Sequence, residues 1–253
     1  MDRETLLNLS TEIGWKILES GGEIYRVEDS IQRILRAYGV MDGDVFSIPS
    51  CIVVTVNDLD GQPLTRIKRI RSNSTNVHRV DQLNSLCRRI CREAPDATVI
   101  RQELDRILSQ KDYSLPVQVF AMAMISFFFP LFYGGNLRDA SCAFFSGILL
   151  RLCLWVLQRY QTNSFFVNIM GSALVATLSL ASVSLGLADH SDLMIIGTFM
   201  NLVPGIAITN VMRDIISGDL IAGMIKLTES LLVATGIALG AGIAIALFRG
   251  LGL

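Results

Sequence analysis

Hydrophobic and polar positions are arranged in two different ways along the chain. Up to residue 112, apolar residues recur singly among charges; beyond it they run together. Leu6, Leu9, Ile13 and Ile17 stand at helical spacing, and Gly21-Gly22 closes that helix as a C-cap would. A second helix puts Val27, Ile31, Ile34, Leu35 and Tyr38 on one face and ends at Gly39. The spacing then changes. Residues 45–48 and 51–57 are β-rich, 58–61 is a turn, and 64–70 alternates as the next strand. Asn76 can cap a helix carrying Val77, Val80, Leu83, Cys87 and Ile90. Pro95-Asp96 breaks it, and a last helix over about 98–110 shows Ile100, Leu104, Ile107 and Leu108. The order reads ααββαα, a small α+β domain over residues 1–112.

Residues 113–253 carry five apolar runs, read at the ~20-residue length that crosses a bilayer. They are 115–133, 140–157 with Arg151 inside, 165–187, 193–209, and one that ends at Phe248. The last begins somewhere between Asp219 and Ser230. The expected fold is an α+β cytoplasmic domain followed by an all-α membrane domain of five transmembrane helices. The start MDRETLLNLS is charged and polar, unlike a signal peptide, which keeps the N-terminus in the cytoplasm. Arg159 and Arg213 fall in the links then placed inside, with Arg101, Arg106 and Lys111 just before the first run. By the positive-inside rule this sets the N-terminus in and the C-terminus out. Arg138 and Arg249 on the outer side make the bias modest.

The fourth and fifth runs differ from simple anchors. Pro204 leaves the Met200 carbonyl without its helical donor, and Gly205 loosens the next turn. In lipid such a carbonyl must find a partner, so broken helices line cavities or pack on protein. Transporters build solute sites from them near the midplane. A plain proline kink is the simpler reading. Against it stand the polar groups around the break: Asn201, Asn210, Arg213, Asp214, Asp219, Lys226 and Glu229. Lys226 and Glu229 are three apart and can pair on one helix face. A helix starting at Asp219 sets Glu229 ~15 Å deep, whereas one starting at Ser230 leaves both in an interfacial lead-in. Further on, Gly236, Gly240 and Ala244, and Ala234, Ala238 and Gly242, stand four apart, which predicts a close helix contact within the chain or with another subunit.

Charge and composition narrow the chemistry. Hydrophobic residues make up 51% of the chain and the net charge is −1, but most of the charge lies before residue 113. Five cysteines and two histidines do not assemble a zinc pattern, and the cysteines read as reduced packing residues. No metal and no cofactor is expected. The basic run Arg66, Lys68, Arg69, Arg71 lacks interleaved aromatics and precedes a membrane domain, so it reads as a solvated or lipid-facing surface, not a nucleic-acid site. The stretch 22–29 holds Glu23, Arg26, Glu28 and Asp29 at a helix start. Paired acids can do acid–base work, but nothing there supplies a nucleophile. Acids in a first helical turn also serve simply as dipole partners. No GxxxxGK[ST] loop is present, which argues against direct ATP drive.

With these residues in view, the chain resembles the threonine/serine exporter (ThrE-like) family. The resemblance rests on GGEIYRVEDSI at 21–31, close to the pattern G-A-E-x-x-R-V-E-D, on Thr65-Arg66-Ile67 and on Asn76. In the second half it rests on Leu202-Val203-Pro204-Gly205, Asn210, Arg213-Asp214, Gly218-Asp219 and Gly223. Gly22 stands where the family usually has alanine. The resemblance implies an inner-membrane exporter of amino acids or dicarboxylates. Full-length members carry about ten spans in two unequal halves. This chain is similar to the split branch, in which a subunit bearing the soluble domain pairs with a small membrane subunit, a branch associated with succinate export. The implied partners are that second subunit, or a second copy of the chain, with a small organic acid or amino-acid substrate and the lipid bilayer, and no nucleic acid.

The expected function is a secondary exporter subunit and no enzyme. Asn201, Pro204, Gly205, Asn210, Arg213, Asp214, Asp219, Lys226 and Glu229 are the candidate substrate site, without catalytic residues. Glu23, Arg26, Glu28 and Asp29 are candidate regulatory or interdomain residues. The alternative is a membrane-anchored enzyme or metabolite sensor acting through the soluble domain. Five spans with charged groups inside are more than an anchor needs.

Overall fold

The computed structural model describes residues 1–71, 74–111, 113–160 and 162–250. They form two compact units, Met1–Lys111 with Ile206–Leu227, and Asp112–Gly205 with Thr228–Leu253. The expected boundary at residue 112 lies outside the described residues. Residues 206–227, read from the sequence as part of the membrane half, group with the first unit.

In the first unit, Asp2 caps α1 (Arg3–Glu19) by accepting from the Thr5 N–H at 3.0 Å. Next come α2 (Ile24–Ala37), strands β1 (Asp44–Ile48), β2 (Cys51–Asn57) and β3 (Pro63–Arg69), then α3 (Val77–Glu93) and α4 (Ala97–Leu108). The strands form one antiparallel sheet in the order β1-β2-β3, so the domain is ααβββαα, one strand more than the order expected from the sequence. In β2, Ile52, Val54 and Val56 are buried and alternate with more exposed neighbours, the period-two signature of a half-buried strand. Their inner face joins Ile13, Ile17, Ile31, Leu83 and Leu104 in one core. Ala222, from the segment 206–227, belongs to that same core.

The second unit contains α5 (Leu115–Phe132), α6 (Leu137–Arg159), α7 (Ser164–Ser184), α8 (Ser191–Phe199) and the greater part of α10 (Leu220–Gly250). Among the described residues, four helices are long and apolar enough to cross a membrane: α5, α6, α7 and α10. The fourth expected run is instead divided. It becomes α8, nine residues and ~14 Å, and α9 (Gly205–Ile216), twelve residues and ~18 Å, each shorter than a ~30 Å hydrocarbon core. The break comes from Pro204, which has no N–H to continue the ladder. The chain leaves α8 by tight turns, with Asn201 N donating to Thr198 O at 3.1 Å and Leu202 N to Phe199 O at 2.8 Å. The fifth run begins at Leu220, so α10 has 31 residues, ~46 Å.

Large apolar side chains such as Phe120, Phe128, Phe145 and Leu231 point outward from these helices, as lipid-facing residues do. The interior contacts use small residues. A side chain at Gly240 would meet Ile169 O and Ser172 Oγ of α7 at 2.1 Å, and Ala244 packs with Ala176. The stripe Gly236, Gly240, Ala244 therefore makes the close helix contact expected of it, within the chain. Gly242, on the other stripe, has nothing within 4 Å.

Candidate functional site

The two stretches that carry the family resemblance, some 190 residues apart in sequence, meet in the first unit. Helix α9 presents Asn210, Arg213 and Asp214; the first turns of α10 present Lys226; the start of α2 presents Glu23 and Arg26. Asp214 is fully buried, and its Oδ2 lies 2.7 Å from Lys226 Nζ, whose side chain is 13% exposed. Among the described residues, the other oxygen, Oδ1, is buried without a hydrogen-bond partner. Glu23, also buried, holds two guanidinium groups: Arg26 Nε at 2.7 Å and Arg213 Nη1. Asn210 Nδ2 donates to Gly21 O at 3.3 Å. The turn between α9 and α10 needs the left-handed backbone of Gly218, at φ +97°.

Neighbouring acids have separate roles. Glu28 Oε1 accepts from Ser47 N at 2.6 Å and from Ser47 Oγ at 2.9 Å, tying α2 to β1. Burial pushes its carboxyl up, and the Asp219 charge adds to the effect. Asp219, between α9 and α10, is also held above the usual range, first by burial and then by the Asp214 charge. Asp29 makes an exposed pair with Arg33 at 2.8 Å, of the i,i+4 kind. Of the four candidate interdomain residues, Glu23 and Arg26 thus belong to the cluster, Glu28 braces the sheet, and Asp29 faces outward.

The remaining candidates lie in the second unit. Asn201 Nδ2 donates to Ser126 Oγ at 2.9 Å and to Thr198 O at 3.2 Å. Among the described residues, Asn201 Oδ1, Thr198 Oγ1 and Ser179 Oγ are buried with no hydrogen-bond partner. Pro204 and Gly205 form the break itself. Glu229 is exposed on α10, while Lys226, its expected partner, is engaged by Asp214. Arg151 of α6 donates to Gln118 Oε1 of α5, a partner inside the bundle.

One buried polar centre escaped the sequence reading. Asp139, at the start of α6, is fully buried and accepts from Asn136 N, Asp189 N and His190 N at 2.8–3.1 Å, with His190 Nδ1 at 2.9 Å. The i,i+3 spacing of Asn136 and Asp139, a capping box, was the available signal. Nothing local announces His190 as its partner.

Comparison with known proteins decides the family. The ThrE family model, described as "Putative threonine/serine exporter", matches residues 8–248. The chain belongs to the threonine/serine exporter (ThrE) family. This is an exporter family and not an enzyme family, and with four span-length helices the chain is a multi-pass membrane protein. It is 23% identical over 239 residues to the "Probable threonine/serine exporter" of Mycobacterium tuberculosis, covering 93% of this chain and 45% of that protein. It is 24% identical over 251 residues to the "Threonine/serine exporter" of Corynebacterium glutamicum, covering 96% and 51%. It is 22% identical over 239 residues to "Pheromone-regulated membrane protein 10" of Kluyveromyces lactis, covering 88% and 24%. The ThrE-family chain thus spans about half the length of the exporters it matches. No solved structure matches it.

Proposed function

We propose that this ThrE-family chain is one half of a secondary exporter of small organic metabolites, threonine/serine or a dicarboxylate such as succinate, in the inner (plasma) membrane. The N-terminus lies in the cytoplasm and the C-terminus outside. The broken fourth run, 193–209, supplies the fifth membrane element. The other half is supplied by a second small membrane subunit of the same family.

The observation that carries the reading is Asp214. A carboxylate with no solvent exposure and, among the described residues, one unpartnered oxygen costs stability that better-packed apolar residues would not. Such groups are kept where they handle an ion or a polar solute. Arg213 and Lys226 attract a substrate carboxylate. Asp214 or Asp219 takes a substrate amine or a coupling proton, and Asn210 hydrogen-bonds the solute. The raised Asp219 suits a proton carrier, since it takes up a proton nearer to neutral pH than an ordinary aspartate.

The test is efflux of labelled succinate, threonine and serine from cells expressing the chain with and without a candidate five-span partner subunit. Efflux of at least one solute, and only with the partner, is expected. Efflux of none under any pairing contradicts the exporter reading, and efflux without a partner contradicts the two-subunit assembly.

A further inference from the structure

Outside the cluster around Asp214, the first unit contains a cavity of about 620 Å³ between α2 and α3. That is within the range of small-molecule sites. Arg26 and Arg33 line it from α2, Arg88 and Arg92 from α3, and among the described residues Asp29 is the one acid in the lining. Asp29 is taken by Arg33 at 2.8 Å, and Arg26 is held by Glu23. Arg88 Nη2 donates to a neutral hydroxyl, Ser85 Oγ, at 2.7 Å, and among the described residues Arg88 forms no ion pair. Among the described residues, Arg92 forms no ion pair. Asn84, a residue only 9% exposed, also lines the cavity. Cys87 beneath it is pushed up to about 12 by burial, so its thiol stays neutral and does not compete as an anion.

From this placement we infer that the cavity is an effector site for a small organic anion carrying at least two acidic groups, carboxylate or phosphate. Guanidinium groups recognise both through paired hydrogen bonds, and two of them one helical turn apart, Arg88 and Arg92, are available. Asn84 supplies a neutral donor and acceptor at the floor. The site also has a route to the Asp214 cluster. Arg26 both lines the cavity and holds Glu23, whose second partner is Arg213 of α9. An anion that draws Arg26 away changes how firmly Glu23 is shared with α9. The inference does not depend on what the chain exports, since it concerns the first unit alone.

The experiment is calorimetric titration of the purified full chain in detergent with succinate, citrate and inorganic phosphate, and with anionic phosphatidylglycerol vesicles. At least one free anion is expected to bind, and Arg88→Ala with Arg92→Ala to weaken it at least about tenfold. Both arginines are exposed and alanine favours helix, so the variant keeps its thermal midpoint. Arg66→Ala, a surface arginine outside the cavity, leaves the affinity unchanged. Hydrogen exchange in 205–216 changes on binding. Equal affinity in the double-arginine variant, or binding of vesicles but of no free anion, overturns the site. Unchanged exchange in 205–216 overturns its link to α9.

Discussion

His190 shows how one contact makes stability depend on pH. Its hydrogen bond to Asp139 holds the imidazole above its ordinary value of 6.5, and burial opposes this only in part. A folded-state value above the unfolded one means the native state binds the proton more tightly. The stabilisation is fully present below the unfolded value and is lost as pH rises through the folded one. The thermal midpoint of the purified chain is therefore expected to fall between mildly acidic and mildly alkaline pH. His190→Gln flattens that slope; an unchanged slope would place the titrating group elsewhere. Asp214 sits at the other extreme of burial. Removing one member of a buried ion pair costs about 3–5 kcal/mol, because the survivor is left charged and unpaired. Asp214→Ala is thus a change in stability as well as in chemistry, and Asp214→Asn, which keeps the shape and one acceptor, is the cleaner probe.

Among the helices, the contact between α7 and α10 separates two glycines that look alike in sequence. At Gly240 any side chain meets backbone at Ile169, so the helices must part. At Gly242 there is open space. Gly240→Val is expected to lower stability by about 1–3 kcal/mol, the usual cost of overpacking, and Gly242→Val by far less. Thermal unfolding of both variants in the same detergent checks this; equal losses would contradict the assignment of the contact. This is also where sequence reading reached its limit. Period and capping residues gave α1, α2 and the three strands within a few residues, because those signals are local. Pro204-Gly205 marked the break for the same reason. The spacing of Gly236, Gly240 and Gly242 showed that a close contact exists, but which stripe makes it depends on where α7 lies, and that is not written in α10.

Across the whole chain, the largest gap between sequence and structure is the meeting of residues 21–26 with 210–226. The motif at the start of α2 read as a helix cap or an interdomain patch, and the charges after Pro204 read as part of the membrane domain. Each was visible, but a pairing across some 190 residues leaves no periodic trace. Family membership joined the two as parts of one pattern without placing them together in space. The geometry gives the pattern a physical sense: Glu23 gathers Arg26 and Arg213 while Asp214 and Lys226 neutralise each other one helical turn of α9 or less from Arg213. The measurement that bears most directly on this cluster as the working centre is solute efflux with Asp214→Asn, beside the unaltered chain at matched membrane abundance. The expected result is loss of efflux with the protein still folded in the membrane. Full efflux in that variant would contradict a role for Asp214 and leave the cluster a structural tie between α9, α10 and α2.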